Sequence, residues 1–164
     1  KTSLFQAGSA AGSSLQALAE DGDNSMVISD LALDPNVFDI APGMGMIMPG
    51  QSETIMISAD NKHSAISLAS MLVSTNDTFA GLDRLKLPQR YSSQLIHAYV
   101  AGTEFNSEDC AYIPGPPCGS GGVHDPRPAE GFIHISNGIH GLAGVAEETY
   151  DWRGPVAQVE ITRL

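Results

Sequence analysis

Positive charge is scarce in this chain. Its 164 residues include 8 Lys and Arg against 19 Asp and Glu, a formal net charge of −11. Arg84, Lys86, Arg90, Arg127, Arg153 and Arg163 are scattered and build no basic run. A surface of this sign repels phosphate backbones and anionic headgroups, which argues against nucleic acid as a partner. Long apolar runs are missing too. None approaches the ~18–20 residues of a membrane-crossing helix, so no membrane insertion is expected. Catalytic signatures are absent: there is no G-x-S-x-G elbow, P-loop, H-E-x-x-H or G-x-G-x-x-G. Ser, His and Asp occur without a spacing that ties them into a triad, so the chain is expected not to be an enzyme. Cysteine is limited to Cys110 and Cys118.

What is present fits one loop-rich domain over residues 1–164. Apolar residues make up 42% of the chain, enough for a core. The 17 Gly and 10 Pro disfavour a helix bundle. The two cysteines flank a turn-rich Ala-Tyr-Ile-Pro-Gly-Pro-Pro segment. A pair this close in a polar loop is expected to form one disulfide in an exported protein. The chain opens at Lys1 rather than Met, as a mature or trimmed product would.

Helical signals cluster in the first 36 residues. Ser13 and Gln16 have capping-box spacing, and Leu15, Leu18 and Ala19 share one face. The acidic turn Glu20-Asp21-Gly22-Asp23 ends that helix. A second helix, capped by Asn24 or Ser25, carries Val27, Ile28 and Leu31 inward and stops before Pro35. Strand signals follow at 51–59, 65–73, 95–100, 132–135 and 155–164, with Gly- and Pro-containing turns between them. The expected class is mainly β, an antiparallel β-sandwich with short helices near the N-terminus. The Pro- and Gly-rich stretch 114–128 reads as a long loop.

Two segments place oxygen donors after strand candidates: Ser74 to Asp83, and Tyr99 to Glu108. Both read as loops at a strand end, where several oxygen ligands suit a hard cation such as calcium. Asn76-Asp77-Thr78 also matches the N-glycosylation acceptor pattern, and a glycan there would crowd Asp77.

The segment from Ser70 to Leu82 resembles the bacterial branch of the spondin N-terminal (F-spondin/mindin-like) domain family. So do Ala101-Gly102-Thr103-Glu104, Cys110 to Cys118, Gly131 to Gly141, and the closing Tyr150-Asp151-Trp152-Arg153-Gly154-Pro155. The resemblance implies a β-sandwich akin to calcium- and lipid-binding modules. It implies a secreted, extracellular or cell-surface protein (periplasmic is the other option) used in adhesion or matrix contacts. It also implies a calcium site, with Asp77 and Glu104 at two of three acidic positions. The third position is Val100 here, which removes a charged ligand and predicts weaker binding. Asn106, Glu108 and backbone carbonyls are the expected substitutes.

Two other readings remain open at this level. His97, His124, His134 and His140, with Met44, Met46 and Met48, suggest an exported protein that binds copper or zinc. The resemblance further implies one or two strands ahead of Lys1–Gln6, and two readings are open: upstream residues that were cleaved, disordered or omitted, or strands supplied by another chain. In the second case a second copy or a foreign peptide would complete the sheet by strand addition, making a self-assembling structural subunit. Protein or glycan surface ligands are the expected partners.

Overall fold

The computed structural model describes residues 2–164, and Lys1 lies outside the described residues. The chain runs α1 (Ser13–Asp21), α2 (Ser25–Ala32), β1 (Ala65–Met71), β2 (Thr78–Lys86), β3 (Tyr91–Val100), β4 (His134–Ile135), α3 (Glu147–Tyr150) and β5 (Ala157–Thr162). Every strand pair is antiparallel. The result is an open, sandwich-like β structure with short helices near its N-terminus, as the sequence predicts.

β3 organises the sheet because it is long enough to serve two groups of strands. Its C-terminal half pairs with β2 through Gly81↔His97 to Thr78↔Val100, and with β4 at Tyr99 and Val100. Its N-terminal half, Tyr91 to Ile96, pairs with β5 instead. β2 and β1 diverge from β3 beyond that point. A bulge sets their course: between Ile66 and Leu68 the β1–β2 register slips by one residue. Arg84 takes a positive φ of 50° there, and its amide donates to Ser67 Oγ at 2.9 Å. An inserted residue of this kind increases twist and bends the strand. β1 pairs only with β2, so its other edge has no partner strand among the described residues.

The main core lies between α1 and the sheet. Leu15, Leu18 and Ala19 from α1 meet Phe79, Ala101 and Ile133, with Phe5 inserted between them. The Phe5 ring lies edge-on to Phe79 at 5.0 Å and 4.9 Å from Tyr99. Gly22 closes α1 in a left-handed conformation with φ 70°, and the Gly22 and Asp23 amides return to Leu18 O and Ala17 O. A smaller core of Ile113, Ile139 and Val145, with Tyr150 and Trp152 against it, closes the end bearing the disulfide. Cys110 and Cys118 are bonded, with Cα atoms 4.9 Å apart.

Three local expectations change. Ser13 is the first helical residue rather than the cap, because Gly12 takes the extended cap position without a side-chain bond. Gln16 therefore donates to Glu20 Oε1 at 3.0 Å instead of closing a capping box. Gln51 to Ala59 alternates in sequence but forms no strand. Side-chain acids tie it down instead: the Glu53 carboxylate accepts the Met44 amide, and Asp39 accepts the Ser58 amide. Finally, Thr78 to Asp83 is not loop but the first six residues of β2.

Candidate functional site

The end loops begin where β1 turns into β2. Leu72 to Asp77 makes that turn, held by Thr75, whose hydroxyl donates to Leu72 O at 2.6 Å and accepts from the Thr78 amide at 3.1 Å. This fixes Asn76 and Asp77 side by side, 2% and 0% exposed. Each then grips a different part of the segment that follows β3. Asp77 Oδ2 accepts the amides of Thr103 (2.8 Å) and Glu104 (3.1 Å). Asn76 Oδ1 accepts the Glu108 amide at 3.3 Å. Gly102 makes the turn that presents those amides. Its φ is +71°, and a Cβ there would lie 2.2 Å from Phe132 O, so a side chain fits neither the conformation nor the space.

Glu104 is also buried, at 2% exposure. Its Oε1 accepts the Asp125 amide, which brings the 114–128 loop onto the site. One oxygen of each acid, Asp77 Oδ1 and Glu104 Oε2, is buried with no hydrogen-bond partner. Burial pushes the Asp77 carboxyl up to about 6, against the two amides that favour its charge. Burial likewise pushes Glu104 up to about 7, with Glu20 adding repulsion and the Asp125 amide opposing it. Asp125 shows the opposite behaviour: hydrogen bonds from Arg127 bring it down to about 2. The Arg127 guanidinium in turn covers the Phe105 ring at 4.5 Å.

The weaker oxygen candidates are differently employed. Glu108 Oε1 accepts the His140 amide and Oε2 the Leu142 amide, both at 2.7 Å. Its carboxylate therefore organises the 139–142 loop. Asn106 donates to Glu130 Oε1 at 3.2 Å. Val100 is buried in β3 between Thr78 and His134 and offers no oxygen from its side chain. The glycosylation pattern at Asn76 falls on a buried amide already engaged with Ser107 and Glu108, where no glycan fits.

The four candidate histidines do not converge. His97 lies exposed in β3 opposite Gly81. His134 and His140 border one cleft of about 230 Å³, shared with Asn76, Asn106, Glu108 and Trp152. His124 is elsewhere, between Glu20 and Asp21. Among the described residues the one group of three metal-capable side chains is Glu20, Asp21 and His124. In the sequence Glu20 and Asp21 read only as a helix stop. Two acids in the last turn of a helix, against the sign of its dipole, were the available signal.

Fold and site together define an antiparallel β module whose acidic end loops are locked to one another by buried carboxylates. A family model, Spondin_N, matches residues 1–103, and the chain belongs to the spondin N-terminal domain family. That is a family of extracellular, non-catalytic binding modules. The match ends one residue before Glu104; β4, β5 and the disulfide loop lie beyond it. No curated protein matches the chain. Among the described residues no helix is long and apolar enough to cross a membrane. The Cys110–Cys118 bond fits an oxidising compartment.

Proposed function

We propose that this chain is a secreted, non-enzymatic adhesion module of the matrix or cell surface, with calcium holding its end loops. The observation that carries this reading is the pair of orphaned oxygens, Asp77 Oδ1 and Glu104 Oε2. Buried carboxylates are costly unless paired, hydrogen-bonded or bound to a metal. The donors are hard oxygens on adjoining loops, which suits calcium better than a soft ion. Two carboxylates fall short of the 6–8 oxygens calcium takes, so backbone carbonyls and water complete the set and affinity is modest. The ion would tie the β1–β2 turn to the segment after β3. It would thereby set the shape of the neighbouring cleft lined by Asn76, Asn106, His134, His140 and Trp152. That cleft, which sets polar side chains beside Ile139, Leu142 and Trp152, is the contact surface this reading assigns to a protein or glycan ligand.

Calcium titration of the chelator-treated protein, followed by calorimetry and thermal melting, tests this reading. One calcium per chain and a higher Tm are expected, and both are lost in Asp77→Asn. Identical melting of the native protein in calcium and in chelator would overturn it.

A further inference from the structure

We propose that Glu20 and His124, oriented by Asp21, form a separate site for a zinc-like divalent cation at the C-terminal end of α1. The inference does not rest on the calcium reading.

His124 Nδ1 lies 3.4 Å from Glu20 Oε2. Tetrahedral zinc with ligand bonds of about 2.1 Å separates neighbouring donors by about 3.4 Å, so this pair already has the spacing of two zinc ligands. The second ring nitrogen, Nε2, lies 3.0 Å from Asp21 Oδ1. A metal-bound imidazole commonly donates its other N–H to a carboxylate, which fixes the tautomer and the ring plane. All three side chains offer a ligand atom within 4.8 Å of the others. An imidazole donor selects against calcium and for zinc-like ions.

The surroundings are short of positive charge. Glu20 is 4% exposed although it sits, with Asp21, in the last turn of α1, where the helix dipole is negative and no basic residue is present. Glu104 brings a further buried acid to this side of the molecule. The Asp125 amide, one residue along from His124, holds its Oε1, while its Oε2 is buried with no partner. His124, with at most one positive charge, therefore stands against the carboxylates of Glu20 and Asp21. Divalent zinc on a neutral imidazole compensates them more fully than a proton does. Water fills the remaining positions on the exposed side, where His124 and Asp21 reach solvent.

The test is calorimetric titration of zinc into the metal-free full chain, with cobalt(II) absorption as a second readout of coordination. One zinc per chain is expected. His124→Gln, an exposed change that leaves the core untouched, should weaken zinc at least about tenfold and abolish tetrahedral cobalt bands. Asp77→Asn and His140→Gln should leave zinc binding as it is, whatever they do to calcium. Absence of zinc binding, or equal binding by native protein and His124→Gln, would overturn the proposal.

Discussion

The backbone amide of Glu104 donates to the carboxylate of Asp77 at 3.1 Å, although the two acids are 27 residues apart. The Thr103 amide joins it on the same oxygen, Oδ2. The bonds hold both acids at one turn and leave Asp77 Oδ1 free. Asp77→Asn retains the size but removes the charge. Without metal it should raise stability at neutral pH, because the buried charge it removes was costly in itself. With calcium in excess the native protein should melt higher than in chelator, by an amount that grows with calcium concentration. The variant should melt alike in both. Thermal scans across a calcium series check this.

The same two acids predict a pH dependence. Folding raises the carboxyls of Asp77 and Glu104 to about 6 and about 7. The folded chain therefore holds protons that the unfolded chain has released. Stability falls as pH rises from ~4, the unfolded value, to ~7, and is level above that. Asp77 alone should account for about 2–3 kcal/mol of that fall. Asp125 acts oppositely and at lower pH: its value of about 2 costs stability only as pH drops below ~4. Denaturant titrations in chelator between pH 4.5 and 7.5 should show the decline, and Asp77→Asn should flatten it. Calcium competes with the protons, so its stabilising effect should increase over the same range.

Local signals carried much of the architecture into the sequence. The Leu15, Leu18 and Ala19 stripe, the Gly22 stop and the Cys110–Cys118 spacing each map onto the structure. β2 was hidden because its turn and first residues, Asn76, Asp77 and Gly81, are turn formers by propensity. Here they are dictated by tertiary contacts instead: the 103–108 segment needs the first two, and Phe5 needs the third. Gln51 to Ala59 misled in the other direction, since alternation makes a strand only when a partner strand lies alongside. Asp77 and Glu104 were readable only through the family pattern. The His124–Asp21 contact spans 103 residues and no spacing rule reaches it.

Gly81 is where Phe5 crosses the sheet. A Cβ at this position would come within 2.7 Å of Phe5 Cζ and 2.9 Å of Phe79 Cε2. Gly81→Ala should therefore push Phe5 out of its ring cluster and destabilise the protein by roughly 1–3 kcal/mol. Phe5→Ala should cost about 3–5 kcal/mol, since the ring is buried against Phe79 and Tyr99. Because the alanine methyl fills part of the space that Phe5 vacates, the double variant should lose less than the sum of the two. Urea unfolding of the four proteins completes the cycle, and strict additivity would mean that the ring does not lie over Gly81.

Reduction of Cys110–Cys118 should loosen one end of the molecule and spare the other. The bridge closes a short loop, and its loss should cost about 2–3 kcal/mol at most, or roughly 5–10 °C in Tm. The effect should fall on the small core of Ile113, Ile139 and Val145, because Ile113 sits inside the loop. Trp152 packs on that core and is the single tryptophan, so its fluorescence reports this end alone. The larger core around Phe5, Leu18 and Phe79 contains no residue of the loop. The paired change Cys110→Ser with Cys118→Ser should therefore red-shift Trp152 emission while far-UV dichroism is retained. Hydrogen exchange should rise for amides such as Gly115 and Gly119, which bond to Val73 O and Ile113 O, and stay slow in α1 and in the β2–β3 ladder. Uniform loss of protection across both cores would show instead that the two ends unfold as one unit and that the bridge supports the whole sheet.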